Sequence, residues 1–436
     1  MRRAAERLLR SAFALACVAA CAAAQAQSES PPDVRQRIAQ ASRLLEAGRI
    51  DEAQAIVTPL RARAHPDLQV LFLSGALHFI AGRYDEAAAE YRLMLARDPT
   101  LPRPRLELAR ALYLARDYQA SRYHFEQALA LPLPEPVRRN VLAYIDAIRE
   151  RLPSFSFSLD VVADSNPTQA TSSETVQIGG LLFRLDDKAR SQEARGALLT
   201  AQARLPLPSD PSLFARGYVE YYDYPGRGID QLYVQATAGK HFNLGEHGVD
   251  VEAGGHDFNY GGRTLYGGVA LRVADFVRAG QALGVLIAAD SKQLDYDDFP
   301  FLSGWQHTAS VDLRRALDAR SSLSGGLAYA LGTAEERAFA FERPAANLRY
   351  LREWRGGWIS SLSWQYSYYH FRARDPFFGI VREDRENVAE LGILNRYLSY
   401  RGVSPRITLG YANRDSNLDL YSYERTYVRV GIVTEF

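Results

Sequence analysis

The chain has 436 residues, with 52 lysines and arginines against 51 aspartates and glutamates, for a formal net charge of +1. A near-neutral chain of this length supplies no basic face for neutralising phosphates, which excludes a dedicated nucleic-acid binder. Both cysteines, Cys17 and Cys21, fall within the first 26 residues, so the chain beyond them holds no thiol for a disulfide or a thiolate metal site.

Residues 1–26 read as a secretory signal peptide. Arg2, Arg3, Arg7 and Arg10 precede an apolar stretch from Ala12 to Ala24, which ends in the small-x-small site Ala24-Gln25-Ala26. Val18-Ala19-Ala20-Cys21 loosely resembles a lipoprotein cleavage site without its usual leucine, so lipidation of Cys21 stays open beside it.

Residues 33–150 predict a periplasmic domain of helical repeats. One phrase recurs every 34 residues: Gly48-Arg49-Ile50-Asp51-Glu52-Ala53, Gly82-Arg83-Tyr84-Asp85-Glu86-Ala87, and Arg116-Asp117-Tyr118-Gln119-Ala120-Ser121. That interval belongs to the tetratricopeptide repeat, a pair of helices per unit. Gly75 and Ala109 keep paired helices close, Tyr91 and Phe125 fill the next seam, and Pro99 ends its repeat because a missing N–H and a fixed φ stop a helix. Such repeats bind proteins or peptides on a concave surface. The register places Gln69, Phe72 and Phe79 of one repeat, with Arg103, Arg110 and Tyr113 of the next, along that groove as candidate cargo-binding residues. The plainer alternative is that Phe72 and Phe79 complete the helical core. Pro132, Pro134 and Pro136 break the third repeat before a final helix near Val137 to Arg149, expected to cap the stack and lead onward.

Residues 154–436 predict a transmembrane antiparallel β-barrel. Beyond the signal segment no apolar run reaches the ~18 residues of a spanning helix, so insertion must be by closed strands. Trp358, Leu362, Trp364, Tyr366 and Tyr368 share one face of a strand whose other face carries Ser361, Ser363, Gln365 and Ser367, the division that lipid outside and water inside impose. Leu323, Leu327, Tyr329 and Leu331 alternate with Ser322 and Ser324 in the same way, and Leu265, Val269, Leu271 and Val273 face away from Arg272. Nineteen of the 25 tyrosines and all four tryptophans lie after Ser154, where barrels place aromatic girdles.

Short turns at Pro208-Ser209-Asp210, Asn243-Leu244-Gly245, Arg278-Ala279-Gly280, Asp318-Ala319-Arg320, Arg355-Gly356-Gly357 and Arg401-Gly402-Val403 alternate with longer loops, which predicts about fourteen strands. The outer loops are expected at Ser165 to Arg190, Asp295 to Gly304, Phe371 to Asp384 and Asn413 to Ser422, with Phe299, Phe301, Phe377 and Phe378 as apolar tips. An even strand number returns both barrel ends to the periplasm. Arg216, Glu220, Arg272, Asp312, Arg314 and Arg429, with Glu435, are expected to line the lumen. Both signs are present, which favours pairing across the interior over selection of one ion sign. The last strand ends in Phe436, the expected barrel-assembly signal.

No chemistry-bearing motif stands out. The eight histidines (His65, His78, His124, His241, His247, His256, His307, His370) show no metal-ligand spacing, and no Gly-rich phosphate loop occurs. The expectation is no enzyme and no cofactor.

A signal peptide, tetratricopeptide repeats and a barrel filling the last two-thirds of the chain together resemble the surface lipoprotein assembly modulator (Slam) family, the outer-membrane component of type XI secretion. The sharpest local match is Phe155-Ser156-Phe157-Ser158-Leu159-Asp160-Val161-Val162-Ala163-Asp164-Ser165-Asn166, which looks like that family's first strand and the start of its first outer loop. The resemblance implies a protein translocator that moves lipoprotein or soluble, β-rich cargo across the outer membrane to the surface or medium. It also implies that the repeats engage cargo or a periplasmic chaperone. Further partners are then the barrel assembly machinery and outer-membrane lipid. An exopolysaccharide exporter and a simple porin remain as alternatives; the first usually carries more repeats, and the second would conduct with or without its helical domain.

Overall fold

The computed structural model describes residues 32–178, 181–244, 247–279, 283–400 and 402–434. The signal segment 1–26, Glu435 and Phe436 lie outside the described residues, as do Gly245, Gly280 and Arg401 of the expected turns. By its contacts the chain divides into two units, one up to Asp117 and one from Tyr118 onward.

The first unit holds five helices among its described residues: α1 (Pro32–Glu46), α2 (Ile50–Arg61), α3 (Leu68–Ile80), α4 (Tyr84–Arg97) and α5 (Pro102–Leu114). Its core is the apolar faces of α1 to α3, where Val34, Ile38, Ala41, Val57, Leu60, Val70, Leu73 and Leu77 are buried together. At Gly75 α3 packs tightly against α4, since a Cβ there would stand 2.8 Å from the ring of buried Tyr91. The recurring phrase has a mechanical explanation. Each copy begins at a residue with left-handed backbone closing a helix, Gly48 (φ 72°), Gly82 (φ 75°) and Arg116 (φ 67°). At each, that residue's N–H and the next one's return to carbonyls of the finished helix, for example Gly82 to Phe79 (3.1 Å) and Arg83 to His78 (2.9 Å). Only the third copy asks a side-chain-bearing residue to adopt this conformation.

The second unit opens with α6 (Tyr118–Leu129) and α7 (Glu135–Arg151), then builds the sheet. Pro134 stands at the α7 N-cap with Pro136 in the first turn, so the proline cluster ends one helix and starts the next. Phe125 and Tyr144 stack at 4.9 Å to hold α6 and α7 as a pair. The expected capping helix is therefore α7, and it packs within the barrel unit; its apolar residues Val141, Ile145 and Ile148 are buried.

The fourteen-strand antiparallel barrel is closed: β1 (Ser154–Asp164) pairs with both β4 (Ala194–Pro206) and the last strand β16 (Tyr423–Thr434). Between β4 and β16 the ring runs through β5 (Leu213–Asp223), β6 (Gln231–Leu244), β7 (His247–Tyr260), β8 (Arg263–Ala279), β9 (Leu283–Leu294), β10 (Gly304–Ala316), β11 (Ser321–Gly332), β12 (Phe341–Glu353), β13 (Trp358–Arg374), β14 (Val381–Asn395) and β15 (Val403–Ser416). A small hairpin, β2 (Thr175–Ile178) with β3 (Leu181–Arg184), stands in the first loop.

The alternation predicted from sequence sets the two faces. Val161 and Leu327 are 68% and 69% exposed on the outer surface, with Val269, Leu271, Val273, Leu362, Trp364, Val428, Val430 and Ile432 exposed on the same side. That belt of apolar side chains is what lipid covers. Leu265 is an exception, because a bulge opposite Phe258 and Asn259 takes it out of the pairing. Two outer loops are shorter than expected. β13 runs on to Arg374, β14 starts at Val381 and β15 reaches Ser416, so the wall continues beyond the apolar belt where Arg382 ties to Asp384 and Phe371.

Candidate functional site: the helical groove and the barrel lumen

In the helical unit, the expected groove residues come together in pairs. The Arg103 guanidinium lies 5.1 Å from the ring centre of Phe72, and that of Arg110 lies 5.4 Å from Phe79. Each pair joins α3 to α5, and each arginine covers an aromatic face that water would otherwise meet. Phe72 also packs on Tyr91 and Phe79 on Tyr84. Gln69 sits in the first turn of α3, its N–H donating to the capping carboxylate of Asp67. Tyr113 follows Arg110 by one turn and is half-buried. Sequence reasoning missed Glu107, buried on α5 and receiving a hydrogen bond from Arg110 (3.2 Å). Burial raises its carboxyl above the usual range, against the pull of Arg110 and Arg103.

In the barrel, the register puts Arg216, Glu220, Arg272, Asp312, Arg314 and Arg429 on the inner face. Arg216 pairs with Glu252 (3.0 Å), Arg272 with Asp290 (2.7 Å) and Arg429 with Glu390. Glu220 accepts from Tyr218 (2.9 Å), and Asp312 from Asn347 (3.3 Å). Charge of either sign is thus answered within the wall.

Arg314 has a different partner. It reaches Glu126 of α6 at 3.5 Å, because α6 lies in the lumen at the end where the short turns are. The helix packs against both β1 and β10. In the ring order these strands are seven steps apart in either direction (β1-β16-β15-β14-β13-β12-β11-β10, and β1-β4-β5-β6-β7-β8-β9-β10), so they face each other across the barrel. Tyr123 of α6 packs on Leu351, Ile359 and Leu394, inward-facing residues of β12, β13 and β14. Its hydroxyl donates to Glu353 (2.7 Å), which also accepts from Arg396 (2.7 Å), whose guanidinium lies 4.4 Å from the Tyr123 ring centre. All three polar side chains are buried. Beside α6 a cavity of about 560 Å³ remains, bordered by Gln119, Arg122 and Glu126 of the helix and by Arg216, Arg272 and Asp312 of the wall.

The Tyr123 cluster was not anticipated, although the repeats contain a signal for it. At the same place in the earlier repeats stand Ala55 and Ala89, both exposed; only the third repeat carries a large aromatic there, and it is buried.

The local motif at the end of β1 also has a physical role. Asp164 holds Arg425 of the last strand (2.6 Å) and accepts from Tyr224 (3.3 Å), while Ser165 Oγ accepts the Thr426 N–H (2.8 Å). Asn166 donates to the carbonyls of Ala170 (2.8 Å) and Glu424 (3.1 Å). These residues fasten the first strand to the last where the ring closes.

Residues 154–436 match the sequence model of a family described as Surface lipoprotein assembly modifier. The Surface lipoprotein assembly modifier of Pasteurella multocida is 22% identical over 407 residues, covering 86% of this chain and 78% of that protein. Surface lipoprotein assembly modifier 1 of Neisseria meningitidis serogroup B is 26% identical over 367 residues, covering 81% and 73%. Among solved structures, a loop-deleted variant of the outer-membrane protein OmpT of Vibrio cholerae is similar at a TM-score of 0.38 and 8% identity, covering 65% of this chain and 99% of that one.

Proposed function

This chain belongs to the surface lipoprotein assembly modifier family, and from that premise we propose that it moves lipoprotein cargo across the outer membrane to the cell surface. Its role lies in the outer membrane, in the surface assembly of lipoproteins; the finer reading is that the barrel itself is the conduit. The observation that carries it is the family match over the whole closed barrel, a wall with a lipid-facing belt and an ion-paired inner face.

In this reading the helical unit stands in the periplasm as a receptor for cargo or its chaperone, on the surface where Arg103 and Arg110 cover Phe72 and Phe79. Short turns face the periplasm in outer-membrane barrels, which supports placing both chain ends of the barrel there. The barrel assembly machinery inserts it, and no catalytic step is involved. Removing residues 32–117 tests the receptor role: a folded, inserted barrel should remain while cargo is lost from the surface. Unchanged display by the shortened protein would reject it.

A further inference from the structure

A barrel of more than about eight strands encloses a lumen that the side chains of its own wall do not fill. Here α6 fills part of it. The helix touches opposite walls, β1 and β10, at the short-turn end. The two sides of its seat differ. Toward β12 to β14, Tyr123 covers Leu351, Ile359 and Leu394, apolar side chains at lumen-facing positions that water would otherwise contact. Toward the remaining cavity, α6 presents Gln119, Arg122 and Glu126, with the 3.5 Å ion pair to Arg314 as a polar contact. The helix is therefore held by a small apolar patch and one buried polar cluster on the β12–β14 side, by β1 and β10 across the lumen, and by the Phe125–Tyr144 stack on α7. Irregular chain flanks it at both ends: Arg116–Asp117 before it and the segment with Pro132 and Pro134 after it.

We infer that α6 is a stopper in the short-turn mouth of the barrel, latched by the contact of Tyr123 with Glu353 and Arg396, and that the pore conducts when this latch opens. Burial of the latch makes it selective. Seated, Tyr123 donates to the Glu353 carboxylate beside Arg396, so withdrawing the helix removes that donor and uncovers both a charge pair and three apolar side chains. The charged cavity beside the seat gives displaced side chains a wet surface to meet.

The test is single-channel conductance of the full-length protein in planar lipid bilayers. It needs no cargo, so its outcome is independent of the translocation reading. The unaltered protein should stay closed for most of the record. Tyr123→Phe, which removes only the hydroxyl, should raise the open fraction by about ten- to hundred-fold, the change expected from losing one hydrogen bond to a charged group, and the double variant Tyr123→Phe with Glu353→Gln should raise it further. The heat-dependent shift in gel mobility certifies a folded barrel in each sample. As a second measurement, Leu351→Cys should react with a water-soluble maleimide faster by the same factor when combined with Tyr123→Phe. A steady open current from the unaltered protein would overturn the inference. So would folded variants that remain closed with Leu351→Cys still shielded, which would make α6 a fixed filler.

Discussion

Tyr123 and Glu353 are 230 residues apart in the chain and 2.7 Å apart in the fold, where the phenol donates to the carboxylate beneath a helix lodged in the barrel. A hydrogen bond to a charged group contributes about 1.5–3 kcal/mol. Tyr123→Phe is therefore expected to lower hydrogen-exchange protection of the α6 amides without altering that of the barrel strands. Glu353→Gln should lower it further, because the Arg396 guanidinium then faces a neutral amide in place of a carboxylate. Equal protection in all three proteins would show that the contact does not hold the helix.

Asp164 ties the first strand to the last through the Arg425 guanidinium (2.6 Å). Asp164→Ala leaves the Arg425 guanidinium without its carboxylate in a crowded wall. A loss of about 3–5 kcal/mol is expected, read as a lower temperature for conversion to the unfolded gel mobility. Asp160→Asn, at the Arg406 pair (2.5 Å) lower on the same strand, is a useful comparison. If Asp164→Ala converts at the unaltered temperature, the motif does not secure the closure.

Arg116 repeats the backbone of Gly48 and Gly82 while bearing a side chain. Replacing it with glycine should stabilise the junction by about 1 kcal/mol, since the left-handed conformation costs a non-glycine residue roughly that much. The measurement is the helical transition in thermal melts followed by circular dichroism. An unchanged or lower midpoint would contradict it.

Glu107 gives the helical unit a pH dependence. Burial raises its folded-state pKa above the unfolded value of 4.5, so the folded form holds the proton more tightly. Its contribution to stability is then fully present below pH 4.5 and is lost as pH rises through the raised folded value. Melts of the unaltered protein should show this decline, and Glu107→Gln should flatten it. An identical slope in the variant would assign the dependence elsewhere.

Much of this architecture was legible in the chain. Period-two alternation gave the lipid and lumen faces because each strand of a barrel meets two different solvents, and the turns gave the strand number because short and long connections alternate. The 34-residue phrase gave the helix pairs, since its first residue, glycine in two copies and Arg116 in the third, marks where a helix ends. The seat of α6 was not legible in the same way. Leu351, Ile359 and Leu394 look like ordinary members of alternating strands, and Glu353 and Arg396 like polar residues beside turns; their common purpose appears only when three strands and a helix are brought together. Loop ends were also misread at Phe371 to Asp384, because a wall rising above the membrane carries aromatic and charged residues on strands as readily as on loops.

The most direct test of the account is surface exposure of lipoproteins on intact cells, compared by protease accessibility with and without this protein. The account predicts that at least one lipoprotein stays membrane-anchored but becomes protected when the protein is absent, and is exposed again when it is restored. An unchanged set of surface-exposed lipoproteins would contradict it.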